Sequence, residues 1–146
     1  MNKEKWSDSS QRSFAYAGWT MTHYEDISYR CKKCSQISVF TAEEQKEEYE
    51  VKQRHFGLPK KLCAACSLRL ESLRNSARNF ERQWAENKSS LKHDYRFLCD
   101  WLAVLNDVPS FGKRPNTSMI GMLTDLAHDT VEHWTRDGRA DIRDLK

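Results

Sequence analysis

Apolar residues recur at helical spacing along the second half of the chain. Leu70, Leu73, Ala77, Phe80 and Trp84 are separated by 3, 4, 3 and 4 residues, which places them on one face of an α-helix. That helix opens at the second cysteine pair and breaks over Asn87 to Ser90. Leu91, Tyr95, Leu98, Leu102 and Leu105 form a second stripe, widened by Phe97, Trp101 and Val104. It predicts a helix over about 91–106 with Ser90 as its N-cap. Met119, Met122, Leu123, Leu126, Thr130 and Trp134 give the buried face of a third helix, over about 117–136, which Gly138 ends. The segment between Asp107 and Asn116 holds two prolines and a glycine, and reads as a loop. A loop of that length lets the last two helices pair antiparallel and pack on the apolar face of the first. Stripes left unsatisfied by one another would form a homodimer face.

The first half has shorter periods. Ile37 and Val39 alternate with polar residues, a short strand signal. Thr41-Ala42-Glu43-Glu44 follows, a capping box that starts a helix over about 42–55; Gly57 is placed to end it and Pro59 to prevent its resumption. Residues 1–22 show no sustained period and no caps. They read as a flexible leader whose aromatics, Trp6, Phe14, Tyr16 and Trp19, dock onto the domain.

Composition narrows the class. With 38% of residues apolar and 31% charged over 146 positions, the chain is too apolar for disorder and too charged for a membrane protein. No apolar run reaches the roughly 20 residues that cross a bilayer. No signal peptide stands at the start, so the expected compartment is the cytoplasm, with no membrane partner. The net charge of +3 is mild but uneven: residues 28–83 carry +5, and the segments on either side −1 each.

Four of the five cysteines form two C-x-x-C pairs, Cys31/Cys34 and Cys63/Cys66, separated by 28 residues. In a cytosolic chain this spacing reads as metal ligation before disulfides. One pair holds two thiolates close enough to chelate a cation, and the second pair completes a tetrahedron around the same ion at Zn–S distances of about 2.3 Å. One structural Zn²⁺ per chain is the expected cofactor. Four thiolates close the shell, whereas catalytic zinc keeps a position open for water, so the chain is expected not to be an enzyme and to take no small-molecule substrate. Cys99 lies at the margin of its helix's stripe and reads as a structural thiol. His128 and His133 are five residues apart and cannot chelate together.

The run Tyr24-Glu-Asp-Ile27, Cys31-Lys-Lys-Cys34, Val39-Phe-Thr-Ala-Glu-Glu-Gln45, Tyr49-Glu-Val51 and Leu62-Cys-Ala-Ala-Cys66 resembles the bacterial probable zinc-ribbon domain of treble-clef type. The Phe-Thr-Ala-x-x-Gln segment is its distinctive part. The resemblance covers about residues 23–69. It implies one zinc on Cys31, Cys34, Cys63 and Cys66, and no known activity. Ser35 departs from the pattern, which usually has glycine after the second cysteine. The expected architecture is thus a leader over 1–22, a small α+β treble-clef or zinc-ribbon-like module with a four-cysteine zinc site over 23–69, and an α-helical extension of two to three helices over 70–146.

Two functional classes follow. One is a non-enzymatic interaction module that binds a protein or a nucleic acid. The other is a rubredoxin-like iron electron-transfer protein, since two knuckles at this separation also hold iron; the missing glycines at Ser35 and Ser67 and the helix after Cys66 speak against it. For the nucleic-acid version, Lys32, Lys33, Lys60, Lys61, Arg78 and Arg82 are the candidate phosphate contacts. The competing account is local. Four thiolates and a dication leave −2, which the knuckle lysines offset, while Glu71 and Glu81 pair with the arginines of their helix.

Overall fold

The computed structural model describes residues 1–18 and 20–136. Gly138, expected to end the last helix, lies outside the described residues. The chain divides into two compact units, Met1–Ala64 and a second from Ala65 onward.

In the first unit a two-stranded antiparallel hairpin pairs β1 (Ile27–Arg30) with β2 (Ile37–Phe40), in the register Ile27 to Phe40 and Arg30 to Ile37. Thr41 then caps α3 (Ala42–Lys46), and the capping box is complete: the Thr41 hydroxyl accepts from the Glu44 amide at 3.2 Å, and the Glu44 carboxylate accepts from the Thr41 amide at 3.3 Å. The helix is shorter than its sequence suggests. After Lys46 it widens into one π-helical turn, Glu47–Val51, and the Lys52 amide reaches back to the Glu47 carbonyl. Gln53 then takes a left-handed conformation (φ 51°), so the helix stops well before Gly57. Glu48 holds that end by pairing with both Lys52 and Arg54 at 3.0 Å. Gly57, at φ 81°, serves the following turn, where its freedom at positive φ is required.

The N-terminal residues build part of this unit. A 3-10 turn (Lys3–Lys5) is capped by Asn2, and α1 (Asp8–Gln11) by Ser7; α2 spans Phe14–Gly18. Both caps are residues of the right type that the absence of an apolar period conceals. Trp6 is 1% exposed and joins Phe40 and Tyr49 in the unit's core, with Tyr16, Tyr24, Tyr29 and Phe56 packed around them. Its ring stacks on Phe56 at 4.0 Å between centroids. Polar ties accompany the stack. The Phe56 amide donates to the buried Ser10 hydroxyl at 2.7 Å, and the Asn2 amide to Glu50 at 2.7 Å. The Trp6 indole donates to the Tyr24 hydroxyl at 2.9 Å, which in turn bonds Glu50. Burial, chiefly, pushes Tyr24 up to about 12.

The second unit is helical. α4 (Ala64–Leu91) starts within the second cysteine pair and is interrupted at Asn87, where φ −134° and ψ 34° leave the helical region. α5 (Tyr95–Asp107) and α6 (Thr117–Arg136) follow, joined through a 3-10 turn at Val108–Phe111 that ends on left-handed Gly112. α5 begins four residues later than its stripe implies. Ser90 is still inside the tail of α4, and Asp94 is the cap, accepting from the Phe97 amide at 3.0 Å. Trp84 of α4, Phe97, Leu98, Trp101 and Leu105 of α5, and Leu123 and Ala127 of α6 form one core, which Phe80 flanks. The aromatic side chains interlock: Phe80 lies edge-on to Phe97 at 5.3 Å, and Trp84 edge-on to Trp101 at 5.9 Å. Edge-to-face pairs at these separations add to plain area burial. No helix among the described residues is long and apolar enough to cross a membrane.

Candidate metal centre

Three hydrogen-bonded devices bring the cysteine pairs together. First, the hairpin fixes the approach to Cys31, whose amide donates to the Gln36 carbonyl at 2.9 Å. Second, the knuckle closes on itself as the Ser35 amide donates to the Cys31 carbonyl at 2.9 Å. Ser35 adopts φ 63° to do so, the left-handed region that favours glycine. The residue that departs from the family pattern therefore keeps the backbone of that pattern, with its Cβ in a crowded conformation. The Arg30 guanidinium caps the turn by donating to the Ser35 carbonyl at 2.8 Å. Third, the stretch before Cys63 is laid against the first knuckle. The Lys32 amide donates to the Lys61 carbonyl at 2.8 Å, and the Tyr29 hydroxyl to the Leu62 carbonyl at 3.0 Å.

The distinctive segment between the pairs explains itself in the same terms. Phe40 fills the core and Thr41 caps α3. The Ala42 amide donates to Asp26 at 2.8 Å, and the buried Gln45 amide donates to the carbonyls of Glu25 and Phe40. Each residue type is set by a contact that holds the hairpin to α3.

The outcome is a cluster in which the sulfurs of Cys31, Cys34, Cys63 and Cys66 all lie within 4.8 Å of one another. The Cys34 and Cys63 sulfurs are 3.8 Å apart. A tetrahedral ion with metal–sulfur bonds of about 2.3 Å sets its sulfurs about 3.8 Å apart, whereas a disulfide needs about 2.05 Å. None of the four is in a disulfide. Cys31 and Cys63 are buried, Cys66 is half-buried and Cys34 is exposed. The backbone N–H groups of Cys34 and Cys63 point at the Cys31 sulfur, assisted by that of Lys33, and together they outweigh burial and bring its pKa down to about 6. A thiolate is the form a metal takes up. Cys66 sits in the first turn of α4, where the helix dipole also favours negative charge. The donor set, spacing and ionisation thus fit a metal ion.

The basic residues are less unified. Lys60 pairs with Glu44 at 3.0 Å and sits 4.7 Å over the Phe40 ring. Lys32, Lys33 and Lys61 are exposed. Arg78 and Arg82 are exposed on α4, in the other unit. Their hydrogen-bond partners are Asn75, at 3.0 Å, and Asn79, at 2.7 Å. For Arg78 this replaces Glu81, the partner expected from the sequence, with an amide three residues back in place of a carboxylate three residues on. Cys99 is half-buried on α5, remote in sequence from the cluster.

No curated protein and no solved structure matches the chain significantly. Residues 25–72 match the family described as "Probable treble clef domain". With the hairpin, the four gathered cysteines and the helix that starts in the second knuckle already in place, that segment of the chain is a treble-clef domain, and a long helical region follows it.

Proposed function

We propose that Cys31, Cys34, Cys63 and Cys66 hold one structural Zn²⁺, and that the chain is a non-enzymatic module for binding another macromolecule. The observation that carries this reading is the set of four sulfurs gathered within 4.8 Å. Zinc takes four thiolates as a closed tetrahedron, so it supplies folding energy and has no position for substrate. Apparent binding energies of structural zinc are roughly 10–16 kcal/mol, enough to fix a unit with so small a core. Zinc is favoured over iron by the second knuckle, which runs directly into α4, and by serine in place of glycine after both knuckles.

Native mass spectrometry of the purified chain tests the metal. One Zn²⁺ per chain is expected, lost in Cys63→Ser and kept in Cys99→Ser. Full zinc retention in Cys63→Ser overturns the ligand set. A visible thiolate–iron absorption in protein from iron-supplemented cells overturns the choice of metal.

A further inference from the structure

The surface of α4 that faces away from its core contacts carries a ladder of arginines. On a helix of 100° per residue, Phe80 and Trp84 share one side and pack with α5. Arg74, Arg78 and Arg82 lie roughly opposite Phe80, and all three are exposed. Successive rungs are four residues apart, a rise of about 6 Å. Two of the rungs are held. Arg78 donates to the Asn75 amide oxygen at 3.0 Å, and Arg82 to that of Asn79 at 2.7 Å. The holding groups are neutral, so they orient each guanidinium without cancelling its charge, and most of its five donors stay available. Arg69 makes the contrast: it turns to a carboxylate, Asp107, at 3.6 Å. Glu71 and Glu81 flank the ladder, so three guanidinium groups face two carboxylates over this stretch.

We infer that the ladder Arg74–Arg78–Arg82 is a contact surface for the phosphate backbone of double-stranded nucleic acid. A row of evenly spaced guanidinium groups, two of them pre-oriented, matches a row of phosphates, which guanidinium recognises in bidentate fashion. The contact is with the backbone, so binding is sequence-independent and sensitive to salt, and the flanking glutamates keep it weak. The inference names the partner of the module proposed above, and places the contact on α4 instead of on the knuckle lysines.

The test is fluorescence anisotropy with a labelled 20-base-pair DNA duplex of mixed sequence and the full zinc-loaded chain. Three phosphates neutralised give a slope of log K against log[salt] of about −2.7, or a loss of about 40-fold between 50 and 200 mM salt. Replacing Arg74, Arg78 and Arg82 together by Gln should abolish binding, while helicity by circular dichroism stays unchanged. Single replacements should each reduce the slope by about 0.9. Asn75→Ala with Asn79→Ala should weaken binding less than the triple variant, because charge remains and only orientation is lost. Replacing Lys32, Lys33, Lys60 and Lys61 by Gln should leave the slope as it was. Undiminished binding in the triple arginine variant overturns the inference, as does a slope that falls with the lysines instead. A parent chain that ignores the duplex and binds a labelled polyglutamate overturns it in favour of an acidic protein partner. Zinc content measured on the same samples reports the metal assignment separately.

Discussion

Gln45 donates its side-chain amide to the carbonyl of Phe40 at 2.9 Å, and the same nitrogen serves the carbonyl of Glu25. One buried amide on α3 thus fastens the residue that ends β2 and the residue that leads into β1. These are the two ends of the hairpin that delivers Cys31 and Cys34. Gln45→Leu keeps the bulk and removes both donors, leaving carbonyls without partners inside the unit. A loss of about 2–3 kcal/mol is expected in denaturant unfolding of the zinc-loaded protein. Unchanged stability would mean that the hairpin is held by its strands alone.

Ser35 and Cys31 close the first knuckle with a serine in left-handed backbone. Ser35→Gly should stabilise the unit by about 0.5–1 kcal/mol, the relief of the Cβ clash set against the added freedom of the unfolded chain. Ser35→Val, branched at Cβ, should destabilise it. Thermal melts of the two variants, moving in opposite directions from the parent, check the account.

The complete capping box at Thr41 predicts a graded result. Thr41→Ala removes the acceptor for the Glu44 amide and should cost about 0.5–2 kcal/mol. Zinc content should not change, because no sulfur is moved. A melting temperature equal to the parent's would show that α3 does not depend on this cap.

Acidity should reveal Cys31 in the metal-free protein. Its folded pKa is about 6, below the value of about 8.5 usual for an unfolded cysteine. A depressed acid contributes stability that is fully present above the unfolded value; it shrinks as pH falls from about 8.5 to about 6 and is gone below that. Ultraviolet thiolate absorbance of the folded, zinc-free chain should therefore show a step near pH 6. Cys31→Ser should remove that step.

Trp6 supplies a different kind of check, on the core itself. Trp6→Ala deletes a ring stacked on Phe56 and a donor to Tyr24, and should cost about 3–5 kcal/mol. A loss under about 1 kcal/mol would mean that the N-terminal residues lie on the unit without supporting it.

Much of this architecture is written locally and was legible for that reason. The two C-x-x-C pairs, the Ile37–Val39 alternation, the Thr41 box and the 3-4 stripes each lie within a few residues, and the structure has β2, α3, α4, α5 and α6 where those signals stand, whereas β1 had no signal of its own. What escaped was decided by competition or by distance. Ser90 and Asp94 are both good caps, and only the resumption of α4 as far as Leu91 selects Asp94. The π turn after Lys46 has no residue signature that outbids Gly57 as a stop. Trp6 meets Phe56 across a separation of 50 residues, and no periodicity along the chain could announce that stack. At the metal centre the ligand types were readable, but the N–H groups that lower Cys31 depend on how the knuckles close.

The boundary suggested by family likeness and the boundary drawn by packing do not coincide. The match begins at residue 25, yet Asn2, Trp6 and Ser10 hold Glu50, Tyr24 and Phe56. The metal module is therefore not a portable cassette. Excised at 25–72, it would keep every sulfur while losing the indole on which its aromatic core closes, and it would chelate a cation as a loose peptide. Anyone grafting this motif into another protein would have to carry the preceding residues along, Tyr24 among them, or redesign Phe56 for life at a solvent-facing surface.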